Sequence, residues 1–203
     1  NGQLIFHANE VVAQFMSYSV GCMFGRYSLD EEGLILASKG ETVQDYYQKI
    51  GKTEAEVIFA PDKDNIIPVL EDEWFEDDVV TRFYQFLKAT FGEKGFQKNL
   101  AFLEEQLGCT VRKYFTREFY ADHIQRYKKR PCYWMFSSPK GHFNVLIYMH
   151  RYTPDTLNMV LNNYLRAFIE KLKVRMETLK HVEATGSPAE KTRALKEMDK
   201  IRA

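Results

Sequence analysis

A window rich in positive charge is the part of the sequence best suited to chemistry. Between His123 and Pro154 the chain carries several lysines and arginines and not one aspartate or glutamate. Lys and Arg pair with phosphate oxygens most favourably where no neighbouring carboxylate competes for them. The pattern is consistent both with a solvated surface and with contacts to nucleic-acid phosphates, and the proposed phosphate contacts are Arg126, Lys128, Lys129, Arg130, Lys140 and Arg151. A second set, Arg112, Lys113 and Arg117, precedes the window, and Arg166 follows it.

Aromatic residues alternate with these cations, and two interpretations of them stay open. The residues are Tyr127, Tyr133, Trp134, Phe136, Phe143, Tyr148 and Tyr152. Exposed rings beside a basic groove stack on unpaired bases. Alternating aromatic and aliphatic side chains in a hairpin are more often part of a core, which is the interpretation we favour for Trp134, Phe136, Val145 and Ile147.

The sequence contains neither a metal-binding pattern nor a motif typical of an independent active site. His142 and His150 lie eight residues apart, with no carboxylate or thiolate at ligand spacing. The acidic run Glu71–Asp78 lacks the spacing of a calcium loop and is typical of a solvated helix N-terminus. Phosphate-loop, dinucleotide-binding, zinc-protease and nucleophile-elbow motifs do not occur in the sequence. We expect neither a metal nor a cofactor in this chain.

Basic and acidic residues are equal in number but unevenly distributed along the chain. Basic and acidic residues number 28 each, but Asp62–Asp78 contains eight acidic groups against one lysine, so affinity for a polyanion must come from uneven placement. The three cysteines lie far apart in the sequence and form no C-x-x-C motif, which is typical of reduced thiols in the cytoplasm. Because no apolar run approaches the roughly 20 residues that cross a bilayer, we expect no membrane contact. A start at Asn1 and an end at Ala203 within a helical pattern suggest a piece of a larger protein.

Apolar periodicity predicts helices in the first three quarters of the chain. They cover Asn9–Phe24 with Asn9 as N-cap, Asp78–Phe91, Phe96–Leu107 and Val111–Arg126. A weaker helix, 45–50, lies between two predicted strands, Leu34–Ser38 and Glu56–Ala60.

The remainder predicts a β-hairpin and then a helical hairpin. Strands at Cys132–Phe136 and Phe143–Met149 flank a turn that contains Pro139 and Gly141. A long helix starts at Thr153, breaks near Gly186 and is followed by a last helix that folds back. The predicted fold class is mainly α with minor β (α+β). Its domains are a mixed helical domain, 1–152, with the hairpin near 132–149, and a spacer-like helical part, 153–203.

Four phrases of the sequence resemble one protein family. They are SYSVGCMFGRYSLD (Ser17–Asp30), IIPVLEDEWFEDDVVTRF (Ile66–Phe83), KKRPCYWMFSSPKGHFNVLIYMHRY (Lys128–Tyr152) and DTLNMVLNNYL (Asp155–Leu165). Together they resemble the PglX-like adenine-specific DNA methyltransferases of BREX phage-defence systems. Members of that family are much longer than this chain, and the matching phrases correspond to a region downstream of their catalytic domain.

The resemblance implies a role without catalysis. Enzymes of this family use S-adenosylmethionine, but neither their N-P-P-Y-like loop nor their glycine-rich cofactor turn occurs here. No catalytic or cofactor-binding residue is carried over, and we expect the isolated chain to be inactive. The expected partners are double-stranded DNA, the rest of the parent enzyme and other BREX proteins. A helical spacer or protein-interaction module is the alternative, and an independent enzyme is a third possibility that no motif supports.

Overall fold

The computed structural model describes residues 7–202. It divides into two compact units, Asn1–Thr156 and Leu157–Ala203, where the sequence suggested a boundary between residues 152 and 153. The predicted fold class is confirmed, because helices dominate and the first unit adds a small three-stranded antiparallel sheet. Within residues 7–202, no helix combines the length and apolar character needed to cross a membrane.

Helix α1 (Ala8–Met23) is the central element of the first unit. Met16, Val20 and Met23 on one of its sides are completely buried. The predicted cap at Asn9 is wrong, because the helix starts one residue earlier, without a capping side chain. The backbone oxygen of His7 closes the first turn by accepting hydrogen bonds from the amides of residues 10 and 11.

The two strands predicted on either side of residue 50 are wrong. The amides of Ile35 and Leu36 donate to the backbone oxygens of Arg26 and Gly25, so this segment is tied to the loop after α1 rather than to a sheet. The segment at Glu56–Ala60 is an irregular turn whose Ile58 amide donates to an Asp30 carboxylate oxygen at 2.9 Å. Carboxylates that cap backbone amides compete with strand pairing here.

The helix predicted between them is confirmed as α2 (Val43–Ile50). Thr42 and Asp45 form a reciprocal capping box at its start. Gly51 ends the helix in the left-handed conformation, at φ 70°.

A three-stranded sheet lies against α1. Its strands are β1 (Ile66–Pro68), β2 (Tyr133–Ser137) and β3 (Asn144–Tyr148), in the order β1-β3-β2. The predicted hairpin is confirmed as β2 and β3, with Trp134 opposite Ile147. Tyr133 and Tyr148 point into the core and contact Phe24 at ring distances of 5.4 and 6.2 Å.

Four helices connect β1 to β2 and complete the core. They are α3 (Val79–Phe91), α4 (Phe96–Leu107), α5 (Val111–Arg117) and α6 (Phe119–Arg126). The single helix predicted over Val111–Arg126 is divided into two helices at Glu118, whose φ of −116° is more extended than in a regular helix. Asp78 caps α3 by accepting hydrogen bonds from the amides of Val80 and Thr81.

The second unit is a helical hairpin. The chain passes through α7 (Thr156–Met159), a π-helical turn at Val160–Leu165, α8 (Arg166–Thr185) and α9 (Pro188–Arg202). The predicted fold-back is confirmed by a small core of Leu179, Ala194 and Met198. A bidentate ion pair joins Arg175 to Glu197, at 2.7 and 3.0 Å. The predicted capping box of Ser187 and Glu190 starts α9.

Candidate nucleic-acid interface

Three consecutive exposed cations of the first unit lie in a short loop between α6 and β2. We call Lys128–Arg130 the basic loop. All three side chains are exposed, and none of them forms an ion pair within residues 7–202. The amide of Lys129 donates to the backbone oxygen of Ile124 at 2.9 Å, which folds the loop back onto the end of α6.

The backbone of the basic loop is in an unfavourable conformation for lysine. Lys128 and Lys129 have φ values of 50° and 64°, in the left-handed region. Glycine or asparagine usually occupies such positions after a helix, since a Cβ costs about 1–2 kcal/mol there. Two lysines in these positions are therefore a local strain of the kind that is often kept for function.

A buried histidine fixes the base of the loop. His123 is 1% exposed, and its Nε2 accepts a hydrogen bond from the Tyr133 amide at 3.2 Å. Its ring lies 4.7 Å from that of Tyr133 and 4.6 Å from that of Tyr127. Burial lowers the pKa of His123 to about 4, so the imidazole is neutral at physiological pH. The two ends of the loop are thereby joined through an uncharged, aromatic contact.

One aromatic ring beside the loop is exposed. Trp134 is 46% exposed, and its Nε1 donates to the backbone oxygen of Pro131 at 3.2 Å, which fixes the indole at the start of β2. The prediction that Trp134 packs in the core is thus wrong, whereas Val145 and Ile147 are buried as predicted. Tyr133, Phe143 and Tyr148 are also buried and cannot stack on bases.

Three of the predicted phosphate contacts are engaged by acidic side chains. Arg126 Nε donates to Asp122 Oδ2 at 2.7 Å, and Asp122 lies just outside the acid-free window. Arg112 binds Asp78 Oδ2 at 2.7 Å and the Leu70 backbone oxygen at 3.0 Å. Arg117 pairs with Glu71. Arg126 belongs to the window without acidic residues, but its charge is compensated by Asp122 from just before the window. The acidic partners of Arg112 and Arg117 come from distant segments.

Arg151 is buried, which corrects the expectation that it stands on the surface at the exit of the hairpin. It is 6% exposed, and its guanidinium donates to the backbone oxygens of Phe24 and Lys63 at 3.3 and 3.1 Å. Burial lowers its pKa, although the carboxyl groups of Asp62 and Asp64 oppose this effect. The side chain thus links the end of the hairpin to the backbone at Phe24 and Lys63, and little of it is exposed for a contact with phosphate.

Two further predicted residues are exposed. Lys113 lies on α5 and forms no ion pair within the described part of the chain. Lys140 lies in the turn between β2 and β3, where Gly141 has φ 72°. The edge strand β2, five residues and roughly 16 Å long at the usual rise of a strand, lies between the basic loop and Lys140. The two places therefore lie beyond opposite ends of this strand.

A buried acid was missed by the sequence interpretation. Asp62 is 8% exposed, and burial together with Asp64 raises its pKa to about 7. It accepts a hydrogen bond from the Ile66 amide at 3.1 Å, while the charges of Arg82 and Arg151 act on it from α3 and from the end of the hairpin. In the sequence, Asp62 and Asp64 are part of the acidic stretch Asp62–Asp78, and no local pattern indicates that one of them is buried.

The described residues offer no alternative chemical centre. Residues 7–202 contain no group of three or more His, Cys, Asp or Glu side chains able to hold a metal ion. Cys22 and Cys132 are buried, and burial raises the pKa of both thiols. The exposed basic loop with Trp134 is therefore the arrangement with the clearest binding chemistry in the first unit.

Two curated proteins are similar to this chain, and no protein-family model matches it. The chain is 36% identical over 209 residues to the adenine-specific methyltransferase BrxX of Escherichia coli O9:H4 (strain HS), which covers 96% of this chain and 17% of that protein. It is 37% identical over 183 residues to the adenine-specific methyltransferase PglX of Lacticaseibacillus casei (strain Zhang), covering 85% and 14%. The chain spans about one sixth of these relatives. It is therefore homologous to one segment of the adenine-specific methyltransferases BrxX and PglX of BREX phage-defence systems, as the four phrases indicated.

Proposed function

We propose that this chain is a non-catalytic part of a BREX adenine methyltransferase and that it binds double-stranded DNA through the basic loop and Trp134. The observation that carries the proposal is the exposed Lys128–Arg130, which form no ion pair with another described residue, beside an exposed indole. Phosphate neutralisation by Lys and Arg supplies most of the non-specific affinity of DNA-binding proteins. The names of the relatives support DNA as the polyanion, since methylation of adenine is their activity.

The parent protein supplies the chemistry in this proposal. S-adenosylmethionine binding and methyl transfer belong to another part of the longer enzyme, since the loop that holds the target adenine does not occur here. Within the parent, this segment holds the duplex by its backbone. The expected location in the cell is the cytoplasm, where the DNA is.

Salt titration of DNA binding tests the proposal. The 203-residue chain is titrated into a labelled duplex, and the triple variant Lys128→Gln, Lys129→Gln, Arg130→Gln is compared with a matched control. The control, Lys39→Gln, Lys94→Gln, Lys98→Gln, removes the same charge from other exposed positions. If each cation of the loop meets one phosphate, the log-log salt slope becomes shallower by about 2.7 in the loop variant only.

Three outcomes of these experiments would contradict the proposal. Equal slopes for the wild type and the loop variant contradict the proposal, and so does an equal loss in both variants, which reports net charge alone. Methyl transfer to DNA by the isolated chain contradicts its non-catalytic assignment.

A second candidate function, docking on another protein, is favoured by an apolar groove of about 230 Å³ between α1, α3 and α4. Val11, Phe91 and Phe102 line it and are 47%, 51% and 49% exposed. Exposed apolar patches of this kind mark protein contacts. In this alternative the groove accepts the rest of the parent enzyme or another BREX protein. Cross-linking from Phe102 to a separately produced remainder of the enzyme, with no DNA affinity in the chain, would select it.

A further inference from the structure

Three polar side chains of the second unit form a hydrogen-bonded series. Asn162 Nδ2 donates to the Asn158 backbone oxygen at 3.0 Å and to its Oδ1 at 2.5 Å. Arg166 Nη1 donates to Asn162 Oδ1 at 2.7 Å. All three residues are exposed, and their spacing of four places them on one side of the helix. We call this series the amide ladder.

Arg166 differs from the other charged residues near it on the hairpin. Arg175 is paired with Glu197, Lys173 with Glu170 and Lys180 with Glu177. Arg166 forms no ion pair with any acidic group of the described residues, and a neutral amide holds one of its nitrogens instead. No carboxylate of the described residues offsets its charge, while the hydrogen bond to Asn162 restricts the orientation of the planar guanidinium.

The helix is locally altered where the ladder lies. Val160–Leu165 is π-helical, and Asn162 is inside this segment. Single π turns within α-helices are rare and frequently occur at functional sites. The wider turn changes how the side chains before and after it line up, so the alignment of Asn158, Asn162 and Arg166 depends on it.

The charge of the second unit suits a polyanionic partner. From Leu157 to Ala203 the chain has ten Lys and Arg residues against six Asp and Glu, a net charge of +4. The remaining residues, with 18 basic and 22 acidic side chains, carry −4. An anion is therefore attracted to the unit that presents the ladder.

We propose that Arg166 reads a guanine in the major groove of duplex DNA and that Asn162 and Asn158 are the residues that position it. An α-helix fits the major groove, and a bidentate contact of Arg with guanine O6 and N7 is the commonest specific one. Asn162 holds one Nη of the guanidinium, so the other nitrogens are offered in a fixed direction. The inference rests on the proposed function and deepens it by naming the residue that discriminates between bases.

A base contact, a phosphate contact and a protein contact would each use Arg166 differently. Arg can bind phosphate oxygens as well as a base edge through two parallel hydrogen bonds, but only the contact with a base edge carries sequence information. A protein partner for Arg166 would have to supply a carboxylate, and its contact would leave the DNA sequence preference of the chain unchanged.

Selection from a pool of randomised DNA duplexes tests the inference. The 203-residue chain and each variant are used to enrich bound duplexes, which are then sequenced. The wild type is expected to enrich a site with guanine at one fixed position. Arg166→Lys keeps the charge but loses the planar fork, and it reduces the preference for that guanine roughly tenfold to a hundredfold. Asn162→Ala reduces it less, since the guanidinium remains.

The adjacent Asn163 provides a matched control. It is the same residue type, exposed, one position along the helix and outside the ladder. Asn163→Ala is expected to enrich the wild-type site. Because alanine favours helix more than asparagine does, a loss in Asn162→Ala alone does not report unfolding. Urea denaturation of each variant confirms this.

Several outcomes overturn the inference, and they are distinguishable from failure of the proposed function. Uniformly weaker binding of Arg166→Lys or Arg166→Ala to all sequences makes Arg166 a phosphate contact. An unchanged site in every ladder variant, with an effect of the basic-loop variant, leaves the proposed function intact and assigns the ladder to a protein contact. If the wild type retains no duplex, both proposals fail together.

Discussion

The imidazole of His123 accepts a hydrogen bond from the Tyr133 amide at 3.2 Å, and this contact joins the two ends of the basic loop. Protonation of Nε2 would remove the acceptor and place a charge among aromatic rings. The folded protein therefore depends on the neutral form of this histidine.

Acid is expected to unfold the protein partly through His123. Its pKa is about 4 when folded and 6.5 in a model peptide, so the unfolded chain binds the proton more tightly. Stability is fully present above pH 6.5 and falls as the pH drops toward 4, by about 3 kcal/mol. Urea denaturation at pH 7.5 and pH 4.5 measures the change. His123→Phe is expected to be less stable at pH 7.5 but to lose less on acidification, and an equal loss in both proteins would contradict this assignment.

Asp62 is expected to act in the opposite direction. Burial and Asp64 raise its pKa from 3.8 to about 7, so its proton stabilises the fold below pH 4, and the effect is lost as the pH rises through 7. Asp62→Asn keeps an oxygen for the Ile66 amide but cannot ionise. The variant should gain roughly 2 kcal/mol relative to wild type between pH 5 and pH 7. Parallel stability curves for the two proteins would show that Asp62 is already ionised at pH 5.

Lys129 is expected to tolerate glycine better than a β-branched residue. Both Lys129→Gly and Lys129→Val remove the charge, but only valine keeps a Cβ and adds crowding at φ 64°. The valine variant should be less stable than the glycine variant by about 1–2 kcal/mol. Thermal unfolding of the two variants side by side gives the difference. Equal stabilities would mean that the loop relaxes to another conformation.

Asp78 is expected to be one of the most sensitive positions of the first unit. Its carboxylate is completely buried, caps α3 through two amides and binds Arg112 on α5. Asp78→Ala removes the cap and leaves the arginine without its partner, so we expect a loss of about 3–5 kcal/mol. Arg112→Gln, at a partly exposed side chain, should cost less. Urea denaturation of both variants measures the two losses of stability. A smaller loss for Asp78→Ala than for Arg112→Gln would contradict the double role assigned to Asp78.

The bounds of helices and strands were predicted well where the local pattern of apolar residues was clear. The helix Phe96–Leu107 has the predicted bounds, and each of the four ends of the hairpin strands differs from the predicted one by a single residue. Leu34–Ser38 and Glu56–Ala60 were misjudged because their amides bond to a distant loop and to the Asp30 carboxylate. The strand β1 was missed because it is three residues long and ends in Pro68.

The candidate site was predictable only in part, for a similar reason. Lys128–Arg130 lie between a helix and a strand, so their exposure follows from local sequence. Arg151 looks equivalent in sequence, but its burial is set by the backbone oxygens of Phe24 and Lys63, which no local pattern indicates. The ion pairs of Arg112 and Arg117 likewise involve residues at least 34 positions away.

The opposite net charges of the two units have a practical consequence for handling this protein. A chain with as many bases as acids passes for a neutral molecule in any measurement of its total charge. Proteolysis between Thr156 and Leu157 would nevertheless produce one fragment that an anion exchanger retains and another that a cation exchanger retains at neutral pH. Chromatography of the intact chain therefore conceals a separation of charge that a single cut would reveal.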